Sequence, residues 1–322
     1  MLSLPKFYAP EDAGAIRVER AALVAAEAHA LAKSGKVRPA PEDRERIAAF
    51  GIDVQIGFCH PEGSLFVPGA VEDTRRALEF FHPRLDRITT MIFSLDTHAV
   101  HQVFHPSFWR DERGEPPAPF TPITRADLAS GKFTPVRDEA AVAEYVERLE
   151  KSGKYMLTIW PYHTLLGGIS HALVPAAMEL SIFHAIARDA KTIFETKGSE
   201  PLTENYSVLS PEVTELGGKR VGAFNEPLFE TLMRHDRVYV FGQAKSHCVL
   251  STLLDMRDRI EKTDKALAKK IYILSDAMSP VPAPRISPLP PALDFPAVAE
   301  RTLGELAKFG MNVVTTTSGH GL

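Results

Sequence analysis

Short apolar runs recur along this chain, separated by longer stretches whose apolar residues are spaced by three and four. The runs Ile47 to Ile52, Thr90 to Leu95, Tyr155 to Ile159, Arg237 to Phe241, Lys270 to Leu274 and Asn312 to Thr316 predict strands. The spacing predicts helices over Val71 to Phe81, over Cys248 to Asp264 with Leu250, Leu253, Leu254 and Ile260, and over Phe295 to Phe309. Strands that are apolar along their length and alternate with helices imply an α/β fold with a parallel sheet covered on both faces. Ligands of such sheets collect beyond the carboxyl ends of the strands.

Residues 1–45 stand apart as an N-terminal helical arm. Its Ala-rich stretch from Ala15 to Lys33 is a predicted helix that stops at Ser34-Gly35. Residues 46–322 form the main domain. Two segments exceed its minimal plan: 110–153, Pro-rich and then helical from Glu139 to Lys151, and 165–192, which adds another helix. Long insertions in compact domains commonly serve as lids or interfaces. The Pro-rich stretch from Val281 to Pro291 predicts a surface excursion before the last helix. There is no internal repeat.

Composition narrows the function classes. The 322 residues are 44% hydrophobic and 24% charged with a net charge of -4, ordinary values for a globular chain. No basic excess points to nucleic acid or to a membrane surface. No apolar run reaches the length of about 18 to 20 residues that a membrane span needs. The N-terminus lacks the charged lead and apolar core of a secretory signal. Two cysteines give no disulfide framework, so a reducing, cytoplasmic setting is expected.

One of those cysteines stands at a chemically useful position. Cys248 follows a strand, a loop with Gly242, and then opens a helix. The positive end of the helix dipole favours a thiolate there, and the free N–H groups can receive an oxyanion. The alternative is a small buried hydrophobe, the role also expected for Cys59. Asp53, at the end of an apolar run, is a candidate proton acceptor, or else a turn residue. Lys197, between Ile193-Phe194-Glu195-Thr196 and Gly198, is a candidate cation, or else a surface lysine.

A second constellation has metal-ligand character. Asp96-Thr97-His98 follows a strand, and residues two apart on an extended chain share a face. His101, His105 and His163 also follow predicted strands. A carboxylate with two or three imidazoles suits Zn, Fe or Mn, although some of these histidines could simply pack or hydrogen-bond at the surface.

Together these pieces resemble the isochorismatase-like cysteine hydrolases, and most closely the nicotinamidases. The matching segments are IDVQIGFCHPEGSLFVPGA from Ile52, LDTHAVHQVFHPSFW from Leu95, WPYH from Trp160, Lys197-Gly198 followed by Asn205-Tyr206-Ser207, and FGQAKSHCVLSTLLDM from Phe241. They occur in the family's order. The resemblance implies a six-stranded parallel sheet and a catalytic triad of Asp53, Lys197 and Cys248. It implies a cis peptide at Gln243–Ala244, with the N–H groups of Ala244 and Cys248 forming the oxyanion hole. It implies a divalent metal, Zn foremost with Fe or Mn as alternatives, on Asp96, His98, His105 and His163. His105 is preferred to His101 because His105-Pro-Ser-Phe is similar to the family's His-x-Ser-Phe. Phe58, Trp160 and Tyr206 fall on positions that sandwich the substrate ring.

The implied reaction is hydrolysis of a small carboxamide to an acid and ammonia through a Cys248 thioester. The alternatives are a ureido or carbamoyl substrate for the same triad, catalysis by the metal with Cys248 a bystander, and a non-catalytic scaffold. The partner expected is a small-molecule amide, with no nucleic acid or membrane, and self-association is compatible with the family. The chain is far longer than a family domain of about two hundred residues, and Thr164 stands where nicotinamidases usually carry Cys.

Overall fold

The computed structural model describes residues 1–153, 155–284, 287–318 and 322. Six parallel strands form the central sheet: β1 (Ile47–Ile52), β2 (Thr90–Asp96), β3 (Thr192–Lys197), β4 (Arg237–Gly242), β5 (Ile271–Leu274) and β6 (Asn312–Val314). Their spatial order is β6-β5-β4-β1-β2-β3, so the winding reverses between β1 and β4. Gly51 pairs with Phe241 on one side and Phe93 on the other. The crevice beyond the carboxyl ends at such a reversal is where open α/β sheets bind ligands.

Alternation along β1 divides the core. Ala48, Phe50 and Ile52 point to the face covered by α3 (Glu139–Ser152), α5 (Glu226–Met233), α6 (Leu250–Thr263) and α7 (Phe295–Phe309). Ile47 and Ala49 point to the opposite face, covered by α1 (Ala21–Lys33), α2 (Ala70–Phe81) and α4 (Pro175–Ala187). Both faces are buried, which accounts for the unbroken apolar runs in the central strands.

The sheet has the expected strand number, but one member differs. Tyr155 to Ile159 is not a sheet strand: only Leu157–Thr158 is extended, paired antiparallel with Pro122–Ile123. Leu157 and Ile159 are buried against Val142 and Tyr145 of the 110–153 segment instead. The sixth strand is β3, which pairs with β2 from Met91–Thr192 to Asp96–Lys197. It is an edge strand whose residues are mostly half-exposed, and Phe194 is 43% exposed. It therefore lacks the apolar run that marks its neighbours. The helix expected within 165–192 is α4, the crossover that returns the chain to β3. Cys248 lies in a π turn, Lys245–Val249, that runs directly into α6. Of the Pro-rich stretch after Val281, Arg285 and Ile286 lie outside the described residues. Among the described residues, no helix is long and apolar enough to cross a membrane.

The N-terminal helix begins at Ala21, later than expected, because the preceding residues hold the arm to α4. Arg17 chelates both oxygens of the buried Glu179, one of them at 2.9 Å. Arg20 adds its backbone N–H at 2.7 Å and its guanidinium at 3.0 Å. Burial would raise the Glu179 carboxyl, but Arg17 and Arg20 outweigh it and push it down to about 2. A carboxyl depressed by folding stabilises the fold above its ordinary value of 4.5 and loses that contribution as pH falls towards 2. Glu179→Ala should therefore lower unfolding free energy at neutral pH by roughly 2 kcal/mol, the scale of charge-assisted hydrogen bonds. Denaturant titrations at pH 7 and pH 3 check this, since the gap between variant and parent should narrow at the lower pH.

Candidate active site

Three strand ends and one turn meet at a single ammonium. Lys197, the last residue of β3, places its Nζ 3.0 Å from Asp53 Oδ2, 2.8 Å from Asp96 Oδ1 and 3.6 Å from Cys248 Sγ. The Asn205 carbonyl accepts from the same Nζ at 2.9 Å. Asp53 follows β1 in the left-handed region, φ 48°, where Ser94 of β2 fixes it twice. The Asp53 N–H donates to Ser94 Oγ at 3.0 Å, and Ser94 Oγ donates to Asp53 Oδ1 at 2.6 Å. All three groups are buried.

Burial and charge set their proton affinities. Burial raises the Asp53 carboxyl, against the pull of Lys197. It also pushes the Cys248 thiol well above its ordinary 9.0, where the negative charge of Asp53 adds to the rise and Lys197 pulls against it. For Lys197 burial acts downward, but the facing carboxylates of Asp53 and Asp96 hold the ammonium well above its usual range. The trio is thus a thiol facing a carboxyl group, with a permanent cation against both.

The loop before Cys248 is fixed amide by amide. Gly242, at φ +117°, passes so close to the Ile52 backbone that no Cβ fits. Gly242 N–H donates to Ala277 O, Gln243 N–H to Ile52 O at 2.8 Å and Lys245 N–H to Ser279 O at 2.8 Å. The Gln243–Ala244 peptide is cis, as the resemblance implied. Among the described residues the Ala244 N–H has no hydrogen-bond partner, and Ala244 lines the pocket beside Cys248.

Beside the triad lies the metal-type cluster. Asp96, His98 and His163 each present one ligand atom within 4.8 Å of the others. Asp96 Oδ2 is 2.7 Å from His98 Nε2 and 3.5 Å from His163 Nε2. Backbone carbonyls take the opposite nitrogens: Gly198 O at 3.0 Å from His98 Nδ1, and Pro161 O at 2.7 Å from His163 Nδ1. His105 follows the same pattern, its Nδ1 3.0 Å from Ala99 O. A carbonyl only accepts, so each Nδ1 donates to the backbone and each Nε2 is left to face the cluster. The Nε2 atoms of His98 and His105 are buried with no hydrogen-bond partner. Burial pushes the His105 imidazole down to about 3 and also lowers His163, so both stay neutral. Imidazole Nε2 atoms gathered beside a carboxylate, two of them buried without a hydrogen-bond partner, fit a divalent metal. His105 stands just outside the tight group, with its ring centroid 5.8 Å from that of His98. His101 is exposed. Thr164 turns its hydroxyl towards Asp96 Oδ2 at 3.4 Å.

The cleft between these groups is lined by Phe58, Trp160 and Tyr206 together with Lys197, Ala244 and Cys248. Trp160 Nε1 donates to Tyr206 Oη at 3.0 Å, and the Phe58 ring meets His163 edge-on. Two lining residues escaped the sequence reading. His247, just before the nucleophile, stacks on Tyr155 at 5.4 Å between centroids, and burial pushes it down to about 4. Glu204 is 5% exposed, and burial raises its carboxyl well above the usual range. Its place between two recognisable segments was the only signal available. Cys59 is buried outside this lining, pushed up to about 12 by burial, in keeping with packing.

No family model matches the chain, and no curated protein matches it in sequence. Solved structures do match in fold. The Acinetobacter baumanii nicotinamidase/pyrazinamidase superposes with a TM-score of 0.53 at 17% identity, covering 86% of this chain and 99% of that one. The yeast nicotinamidase Pnc1p, bound to the inhibitor nicotinaldehyde, gives 0.53 at 18%, covering 84% and 99%. The chain thus shares the α/β fold of these two nicotinamidases.

The cluster makes a prediction that needs no turnover. Purified protein should carry about one divalent metal per chain by elemental analysis, and His98→Ala or His163→Ala should remove most of it. His105→Ala should weaken retention about 10- to 100-fold, whereas His101→Ala should leave it unchanged. Loss with His101→Ala but not with His105→Ala would reverse that assignment.

Proposed function

We propose that this protein is a cysteine amidohydrolase that converts a small ring carboxamide, nicotinamide or a close analogue, to its acid and ammonia. The observation that carries this is the Lys197 ammonium, 3.0 Å from Asp53 and 3.6 Å from the Cys248 sulfur. A carboxyl group raised by burial and a thiol raised by burial can exchange one proton at little cost, while the cation stabilises the thiolate that results.

In the first half-reaction Asp53 takes the thiol proton as Sγ attacks the amide carbon. The carbonyl oxygen becomes an oxyanion received by the N–H groups of Ala244 and Cys248. Asp53 returns the proton to the departing nitrogen, the C–N bond breaks, and ammonia leaves a Cys248 thioester. In the second half-reaction Asp53 accepts a proton from water, which adds to the thioester, and the acid departs as the thiol is reprotonated. Phe58, Trp160 and Tyr206 hold the ring. A Zn, Fe or Mn ion on Asp96, His98, His163 and His105 would supply Lewis acidity and a fixed positive charge at the pocket wall.

A second substrate class is favoured by one observation. The Glu204 carboxyl lines the pocket, where burial raises it well above the usual range and a ligand could offer it a hydrogen-bond partner. A ureido or carbamoyl amide, richer in polar hydrogens than a pyridine, would supply one. Ammonia release from nicotinamide, pyrazinamide and a ureido panel separates the two classes.

Cys248→Ala should lose more than the hundred- to thousandfold that removal of one oxyanion donor typically costs. Near-normal ammonia release by that variant would rule the scheme out. The pH profile gives an independent check. Because burial raises Asp53, the acid limb of kcat/KM should lie above the ordinary carboxylate value of 3.8. Because Cys248 and Lys197 are also raised, activity should persist to about pH 9 without a basic limb.

A further inference from the structure

The oxyanion loop is held from behind by a carboxylate that touches neither substrate nor nucleophile. Asp73, in the first turn of α2, is 3% exposed and lies outside the pocket lining. Gln243 Nε2 donates to Asp73 Oδ2 at 2.9 Å. Gln243 Oε1 accepts from Ser279 N–H at 3.3 Å, and Ser279 O accepts from Lys245 N–H at 2.8 Å. The Ser279 side chain returns to Asp73. Gly69, at the start of α2, leaves the space that Ser279 Oγ fills. Arg76 approaches the other Asp73 oxygen at 3.3 Å, so the carboxylate is partnered on both sides.

This network closes around one peptide. Gln243 contributes its side chain to α2 and its N–H to β1, and the next residue on, Ala244, lines the pocket and carries an N–H with no partner among the described residues. A side chain at position 243 need only fill space to complete a core. An amide there, buried to 1% exposure and answered by a buried carboxylate, fixes direction as well as volume. We propose that Asp73 is a positioning residue that acts through Gln243 to aim the Ala244 N–H at the oxyanion. This deepens the amidohydrolase reading and rests on it.

An oxyanion donor acts in the transition state, so a misaimed one lowers kcat and leaves substrate binding nearly intact. Asp73→Ala and Gln243→Met are compared with Asp73→Asn, which keeps an oxygen acceptor for the Gln243 amide. Three quantities are read: kcat per titrated Cys248 thiol, KM for the amide, and calorimetric affinity for nicotinaldehyde. Addition of the Cys248 thiol to that aldehyde forms a C–S bond and turns the carbonyl oxygen into an alkoxide or hydroxyl at the same position.

The expected result is a loss of kcat of about 10- to 100-fold for Asp73→Ala and Gln243→Met. KM should stay within about threefold and aldehyde affinity should fall with kcat, while Asp73→Asn stays near the parent. The double variant should lose no more than the worse single one, because both break one link. Titrated kcat and aldehyde affinity within about twofold of the parent in both variants would overturn the proposal, as would a loss confined to KM. Should Asp73→Ala fail to fold, Gln243→Met still decides, since Asp73 keeps Ser279 and Arg76. A parent that binds the aldehyde but releases ammonia from no amide overturns the functional reading alone, and the calorimetric comparison still judges Asp73. A parent with no affinity for the aldehyde overturns both.

Discussion

A single buried cation organises this protein. The Lys197 ammonium sits among two carboxylates, a carbonyl and a thiol, away from bulk water. An isolated charge at that depth would be prohibitive, so the surrounding groups must be held to ångström tolerance. The fold supplies that tolerance by bringing the ends of β1, β2 and β3 side by side. Asp53, Asp96 and Lys197 then differ in position by about one strand spacing. The winding reversal between β1 and β4 opens the space into which Cys248 projects.

The same ammonium joins two sites that the sequence presents separately. Asp96 offers Oδ1 to Lys197 and Oδ2 to the imidazoles, so the triad and the metal-type cluster share a residue. Burial would raise the Asp96 carboxyl, but His98, Lys197 and His163 outweigh it and hold it well below the usual carboxylate range. The carboxylate is therefore charged whichever neighbour it serves. Changes on the metal side should consequently be felt at Lys197, and through it at the nucleophile.

Beyond the reacting groups, the structure spends its buried polar contacts on orientation. Gln55 bonds both the N–H and the carbonyl of Asp96 and reaches His171 O, fixing the end of β2 against the loop after β1. Ser94 orients Asp53, and backbone carbonyls set three imidazole tautomers. The segments outside the family-sized core follow suit. Tyr145 of α3 accepts from the Glu204 N–H, and Tyr155 stacks on His247, so the 110–153 region and its sequel build one pocket wall.

Much of this was legible in the residues themselves. Apolar runs located β1, β2, β4, β5 and β6 because central parallel strands are buried on both faces, and short motifs carried Asp53, Asp96, His98, His163, Lys197 and Cys248. An edge strand with one open face, Thr192 to Lys197, left no such run, and Tyr155 to Ile159 imitated one while packing on α3. Local pattern records how a residue is buried, not what buries it. Only the tertiary structure could decide between His101 and His105 as the buried imidazole, bring Glu204 and His247 to the pocket wall, and join Asp73 to Gln243 across 170 positions. Those relations depend on the path of the chain between distant segments, and no spacing within any one segment encodes it.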